Sequence, residues 1–538
     1  LDGSARNASQ RNLYSAAGPV PDYTKYPIIN GTIPGVGVAP SHIWNANAGY
    51  FARINYSYDN RYLLELAARY DGSSAYPVAD RWAFFPSISA GWNITNEKFA
   101  QGLKKVVNNW KLRASYGSMG NPIPSFYLPL MPSGTTNWIM STGQLAQYVG
   151  LPANIPPTLT WEHVSKFDIG TDASFLKGDL DVTFDWFQNL TTGMISQGVT
   201  VPQTFGTGAA NQNNGTERTR GFELGLNYQH QFANGLKVYG NANLFNFISV
   251  ITQIGGNPAN SLSQQWYTGE TVGEIWGFKT VGFFQDAADV TNSPSQKGLQ
   301  SGTFAFGPGD IKYADLDHND TIGVGALTAS NHGDLTKIGN SAPRYQYSFR
   351  LGASWKGFDI DAYFQGVGAH QYWATGAIAI PNYGGNGELL GNQMDFSTLN
   401  TGTNQDVLNP TTVNNKAWWP NLFFGNGTSN FAGETFWDKS AGASGNNFYP
   451  QTKYLLNLAY LRLKTLTVGY TLPAKLTRKA DIQSLRFYVQ GMNILTFKHN
   501  NHVPIDPEVT SGSYYSNAYY GENSPINKTY SFGVQVTF

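Results

Sequence analysis

Residues 179–188 read DLDVTFDWFQ, in which Leu180, Val182, Phe184 and Trp186 alternate with Asp179, Asp181, Thr183 and Asp185. Strict alternation marks a strand with one apolar and one polar face. Large apolar side chains on one face and carboxylates on the other suit a strand between lipid and a water-filled lumen. Such a strand needs roughly 9–11 residues to cross a bilayer. Residues 221–230 repeat the pattern, with Phe222, Leu224, Leu226 and Tyr228 against Glu223, Gly225, Asn227 and Gln229. So do residues 357–365, with Phe358, Ile360, Ala362 and Phe364 on one face, and residues 529–538, with Tyr530, Phe532, Val534, Val536 and Phe538.

Weaker alternation predicts further strands at 44–57, 61–71, 83–93, 108–117, 160–175, 235–251, 344–355, 454–470 and 484–496, about 13 in all. Within 454–470 the phase slips, because Leu461 and Leu463 share one parity and Leu466, Val468 and Tyr470 the other. A β-bulge near Thr465 accounts for the slip. Connection lengths then alternate. Tight or moderate links (58–60, 94–107, 176–178, 231–234, Lys356, 472–483) interleave with external ones, which are mostly long and include 252–343 and 370–453. Outer-membrane barrels have short periplasmic turns and long external loops. Residues 275–284 (IWGFKTVGFF) look like a strand, but counting them as a membrane crossing breaks the alternation, so they are placed in the external excursion 252–343. The fold expected is all-β, a transmembrane antiparallel barrel, with 1–43 an extracellular loop region and 44–538 part of one barrel domain. The first strand then runs inward, so an odd number of strands is expected before residue 44.

Composition agrees. Charged residues make up 13% of the 538 and aromatics 14%, whereas soluble domains carry about 25% charge. Mean hydropathy is nevertheless −0.32, as expected when only alternate residues meet lipid. Thirty-five basic and 35 acidic residues balance, which argues against a nucleic-acid partner. There is no cysteine, so disulfides and thiolate metal sites are excluded. No apolar run is long enough for a membrane helix, and no signal peptide is visible at Leu1. The expectation is that the sequence is a fragment of a longer protein, or that its other part lies on a separate chain.

A series of stretches resembles the SusC/RagA family of TonB-dependent transporters. In order they are NYSYDNRYLLELAARYDGSSAY (55–76), RWAFFPSISAGWNITNEKF (81–99), WKLRASYGSMGN (110–121), TTGMI (191–195), RGFELGLNY (220–228), IWGFKTVGFFQ (275–285), GDIKYADLDHNDTI (309–322), YLRLKTLTVGYTLP (460–473), FYVQGMNILTF (487–497), DPE (506–508) and YSFGVQVTF (530–538). The resemblance implies a 22-stranded barrel in a Gram-negative, Bacteroidota-like outer membrane. It also implies an N-terminal plug, a TonB box that engages the TonB complex, and a SusD-like surface lipoprotein as partner. The implied function is active uptake of oligosaccharides or peptides by a protein that is not an enzyme. Subtracting 13 strands leaves nine, odd as the connections require. Plug and TonB box are absent from this sequence. A structural or assembly scaffold in an outer-membrane complex is the alternative, and a soluble glycan-binding β-protein a third reading.

Two groups of residues are candidate sites. Asp315, Asp317 and Asn319 occupy the first, third and fifth positions of an EF-hand-like loop, with Ile322 at the eighth, and offer oxygen ligands for Ca2+. Asp320 stands where that loop needs glycine and Ala326 where it needs glutamate, so an Asx-rich turn is the simpler account. Trp373, Trp418, Trp419, Phe423, Phe424 and Trp437, with Phe431, lie in the excursion 370–453 and are candidates for contact with substrate or with the lid. Packing within the loop or against a partner protein is the simpler account of them. Asp181 and Asp185 are expected to point into the lumen as polar wall residues rather than as a catalytic pair. The eight histidines are scattered, and no hydrolase, zinc-protease or phosphate-loop motif is present.

Overall fold

A computed structural model describes residues 46–538 apart from 122–132, 140–144, 150–153, 155, 157, 200, 207, 265, 301–304, 375–378, 382–390, 398–412, 422–445, 499–501 and 509–525. The proposed external region 1–43 lies outside the described residues.

Thirteen strands form one antiparallel sheet in sequence order. They are β1 Asn47–Tyr58, β2 Tyr62–Ser73, β3 Trp82–Asn93, β4 Val107–Asn121, β5 Glu162–Phe175, β6 Leu180–Gln197 and β7 Asn211–Gln231. There follow β8 Lys237–Gln253, β9 Arg344–Trp355, β10 Phe358–Ala369, β11 Tyr460–Thr471, β12 Ser484–Lys498 and β13 Thr529–Thr537. Each falls where alternation predicts one. Among the described residues, no helix is long and apolar enough to cross a membrane.

Register sorts the side chains into two faces, because directly paired residues share a side. One face carries rows such as Ile54–Leu66–Ile88–Tyr116–Phe167 and Ile360–Val468–Val489–Phe532. Phe184 lies on this face, paired with Leu224. These side chains stay exposed in the isolated chain, Ile54 at 64% and Phe532 at 85%. Contiguous exposed apolar surface of this extent marks an interface, here with lipid. The opposite face carries Thr183–Gly225–Asn243–Ser348–Gln365–Arg462, a polar row.

Turns on one rim are tight, and their residues allow it. Asp59 and Asn60 both have positive φ, as do Lys356 and Gly357. Two-residue hairpins of this twist require it, and Asn, Asp and Gly adopt it at least cost. The expected bulge is present: in the pairing to β10, consecutive Tyr363 and Phe364 oppose Thr465 and Leu463, leaving Lys464 extra.

Two expectations about boundaries need correction. β6 and β7 stay paired as far as Gln197 and Asn211, well past the predicted 188 and 221, so most of the external connection expected between them is strand. Beyond the apolar band the outer face no longer has to be greasy. Arg220 there donates to Gln188 at 2.6 Å, and pairing continues where alternation stops. β11 starts at Tyr460 rather than 454, and Leu456–Asn457 instead pairs with Gln371–Tyr372. Residues 275–284 form two short strands, Glu274–Phe278 and Thr280–Phe283. These pair with Leu335–Asn340 and Ile311–Tyr313, outside the main sheet as the connection lengths demanded.

The excursions that follow β8 and β10 lie on the same rim, as predicted. They share one core that includes Phe278, Ile311, Leu335, Trp419, Tyr454 and Leu458, joined by Val503 and Ile505 from the connection after β12. We call this folded layer the roof.

Candidate functional site

The polar face is cross-braced by ion pairs. Arg113 on β4 grips Asp172 on β5 through two hydrogen bonds of 2.8 and 2.9 Å, and reaches Asp185 on β6 at 3.0 Å. Asp185 is therefore a wall residue held by a guanidinium. Asp181 lies on the same face, registered with Asn227 and exposed. Nearer the tight-turn rim, Arg350 and the Tyr239 hydroxyl both bind Asp361, and Arg486 forks onto Asp359. Gly352 makes room for this, because a Cβ there would meet the Tyr239 ring at 2.1 Å. A groove of ≈ 460 Å³ runs along the face past Thr183, Asp185, Glu223, Asn243 and Gln365.

At the opposite rim the roof is pinned to this same face. Arg462 on β11 binds Asp506 through two contacts of 2.9 and 3.0 Å and lies 3.0 Å from Glu508. Lys464 reaches Glu508 at 2.8 Å. The Arg462 side chain is only 4% exposed, and Asp506 8%. Burial alone would raise the Asp506 carboxyl; the Glu508 amide and the Arg462 guanidinium outweigh it and hold it below the usual carboxylate range. The bulge has a purpose here, since the extra residue at Lys464 brings a second base to the cluster.

Within the roof, buried polar groups weld distant segments. Asn447 donates to Asp310 and accepts from the Ile311 amide, each at 2.8 Å. Gln451 donates to the Asn447 carbonyl, and Tyr449 donates to the Leu299 carbonyl. Burial pushes the Asp310 carboxyl up to about 7.

The predicted aromatic residues separate by environment. Trp419 is fully buried, donating its indole N–H to the Asn392 carbonyl at 3.0 Å. This corrects its assignment as a contact residue, because its surface is spent on the roof's own core. Trp418 is half-buried and stacks flat on His502, with ring centroids 3.8 Å apart. Its indole N–H has no hydrogen-bond partner among the described residues. Lys453 lies 5.1 Å from its ring and 4.8 Å from that of Phe283, and burial lowers the lysine's pKa. Trp373 is half-buried against the same core. Phe423, Phe424, Phe431 and Trp437 lie outside the described residues.

The acidic loop is rearranged relative to expectation. Asp315 and Asp317 converge with Asp334, their oxygens all within 4.8 Å. Asn319 does not join them: its side-chain carbonyl accepts from the Thr321 amide and hydroxyl, and its amide donates to Asp317. Asp315 accepts the amides of His318, Asn319 and Asp320, and Asp334 those of Leu316 and Gly323. These bonds account for the shape of the loop as an Asx-type turn. Three carboxylates suit a hard cation in charge, but most of their oxygens already serve the backbone. No local spacing announces Asp334. The pairing of Arg462 and Lys464 with Asp506 and Glu508, two bases and two acids each spaced by two, was a signal available in the sequence.

Residues 3–298 match the protein family described as TonB dependent receptor-like, beta-barrel. The chain belongs to this family. Over 509 residues the receptor barrel is 27% identical to TonB-dependent receptor P3 of Formosa agariphila, covering 91% of this chain and 45% of that protein. It is 32% identical to TonB-dependent receptor SusC of Bacteroides thetaiotaomicron over 187 residues, 34% of this chain and 18% of SusC. In fold it resembles a chain of the RagAB peptide importer in its closed-closed state. There the TM-score is 0.65 and the identity 22%, over 95% of this chain and 50% of that one. The receptor barrel thus spans about half the length of the relatives it matches. It is a SusC/RagA-like β-barrel of the Gram-negative outer membrane, in a family of receptors rather than enzymes.

Proposed function

We propose that this chain supplies wall and roof to a TonB-dependent importer of oligosaccharides or peptides, working beneath a SusD-like surface lipoprotein. The observation that carries the reading is the roof. Two excursions on one rim share a single buried core with the connection after β12, which is pinned to the polar face through Arg462. A folded layer over the lumen offers a seat for a lid and a floor for cargo held beneath it. The relatives support this, since SusC is a TonB-dependent receptor and RagAB a peptide importer. The Trp418–His502 stack is the described surface we assign to cargo or lid, because a flat, half-exposed aromatic pair binds sugar rings and apolar side chains alike. Further strands of the receptor would pair with β1 and β13, whose outer edges have no partner among the described residues. Lipid cannot satisfy such edges.

The test is growth of a deletion strain on defined oligosaccharides or oligopeptides as sole carbon source, with purification of the intact receptor in mild detergent. Loss of growth on one class, restored by the wild-type gene and reduced by Trp418→Ala, supports the reading, as does a co-purifying lipoprotein. Unimpaired growth on every cargo, with other outer-membrane complexes disrupted, would instead establish a scaffold.

A further inference from the structure

The rim opposite the roof is unlike the rest of this electrically neutral chain. Its connections are 59–61, 94–106, 176–179, 232–236, 356–357 and 472–483, and together they hold nine basic and four acidic residues. Three of the acids are already engaged within the protein, Asp59 by Arg61, Glu97 by Tyr62, and Asp179 by His230. Among the described residues Lys98, Lys104, Lys105, Lys475 and Lys479 are exposed and take part in no ion pair. The excess positive charge is thus concentrated on two connections, 94–106 and 472–483.

Both connections also expose apolar side chains beside the lipid face. The 3-10 segment Lys98–Lys105 presents Phe99 and Leu103, with Val106 following, while Ala100 is turned inward and fully buried. Phe99 is 70% exposed, and its ring is 6.3 Å from Trp92, a member of the outward row Tyr58–Tyr62–Trp92–Leu112. Glu97 fixes the start of the segment to this rim by accepting from the Tyr62 hydroxyl at 2.6 Å and the Trp92 indole at 3.1 Å. In the second connection the helix Ala474–Thr477 exposes Leu476 and buries Thr477. The first patch adjoins the aromatic edge of the lipid-facing band at Trp92, and the second follows directly on β11, whose Tyr470 lies in the outward row Phe358–Tyr470–Phe487–Val534; lysines flank both, with Arg478 in the second. An apolar ridge at the acyl boundary with basic residues beside it is the arrangement that binds an anionic lipid surface.

We propose that connections 94–106 and 472–483 bind anionic phospholipid of the periplasmic leaflet. Phe99, Leu103, Val106 and Leu476 enter the acyl boundary, and the lysines and Arg478 take the phosphates. The occupant is lipid because each patch sits at the end of strands whose outward rows are already in lipid and its charge complements a phosphodiester.

The experiment uses the intact receptor, delipidated in detergent and offered phosphatidylglycerol or phosphatidylcholine, with retained lipid counted by native mass spectrometry. Heat-modifiable migration checks that each variant forms a barrel. Wild type should retain phosphatidylglycerol at least about tenfold better, a preference that a few basic side chains near an anionic headgroup produce. Replacing Lys98, Lys104, Lys105, Lys475, Arg478 and Lys479 with Gln should abolish the preference. Lys279→Gln, Lys297→Gln and Lys416→Gln together, on the roof, should leave it intact. Phe99→Ser with Leu476→Ser should weaken retention of both lipids. Equal retention of the two lipids by wild type, or an unaltered preference in the sixfold variant, overturns the proposal. So does a sixfold variant that keeps its lipid but loses a co-purifying periplasmic protein, which would make the surface a protein site.

Discussion

Phe184 and Thr183 are neighbours in sequence and face opposite media. Phe184 pairs with Leu224 on the lipid face, and Thr183 with Gly225 on the polar face. Arginine near the bilayer midplane costs roughly 2–4 kcal/mol on the lipid face. Phe184→Arg is therefore expected to lower the yield of heat-modifiable barrel, and Thr183→Arg to be tolerated; equal yields would reverse the faces. Asp310 gives a second prediction of this size. Its carboxyl is pushed up to about 7 in the folded roof, from an ordinary value of 3.8. The folded state then holds a proton that the unfolded chain has already released. Its contribution to roof stability is full below pH about 4 and is lost as pH rises through about 7. Protection of the roof from protease should thus fall between these limits in wild type and vary less in Asp310→Asn. Parallel pH profiles for the two would show that this carboxyl is not the titrating group.

The element that decides how the roof meets the wall is the bulged strand β11. Its bulge at Lys464 sets two bases against Asp506 and Glu508, which arrive on a connection made after the next strand. Breaking a buried ion pair by removing one partner costs about 3–5 kcal/mol, because the other charge stays buried. Arg462→Ala is therefore expected to expose residues 502–508 to protease added outside intact cells. Combining Arg462→Met with Asp506→Asn and Glu508→Gln removes the stranded charges and should restore protection. Continued resistance of the Ala variant would mean that the apolar anchors Val503 and Ile505 hold the connection without the latch. β6 and β7 show a different use of an element, running as paired strand from the lipid band into the external layer, with register shifts around Met194 on the way.

For the whole molecule, the assignment of rims is testable because the chain has no cysteine of its own. Single cysteines placed in it meet no competing thiol among its 538 residues. Lys297→Cys and Lys416→Cys lie on the roof, and Lys104→Cys and Lys356→Cys on the opposite rim. A membrane-impermeant maleimide should label the first pair on intact cells and the second pair only after the outer membrane is permeabilised. Labelling of Lys104→Cys on intact cells would invert the barrel. The same rims separate the two proposals: cargo and lid are assigned to the roof, and anionic phospholipid to the opposite edge.

The crossing strands were legible in the sequence because lipid and water impose a rule at every second residue. DLDVTFDWFQ has to be a strand between two media, and the lengths of the connections then order all thirteen strands and keep 275–284 out of the sheet. The slip between Leu463 and Leu466 even located the bulge. Where only one medium remains, the rule lapses. Residues 191–197 and 211–220 pair above the apolar band without alternating, so their pattern shows no strand. The roof obeys no local period, because its contacts join segments far apart in the chain. Asn447 completes Asp310 from 137 residues away, Asp334 closes the turn begun at Asp315, and Trp419 disappears into a core built from three connections. Sequence therefore determined the wall, whose environment repeats along each strand. Tertiary structure alone decided the roof, where each buried group depends on a partner that no spacing announces.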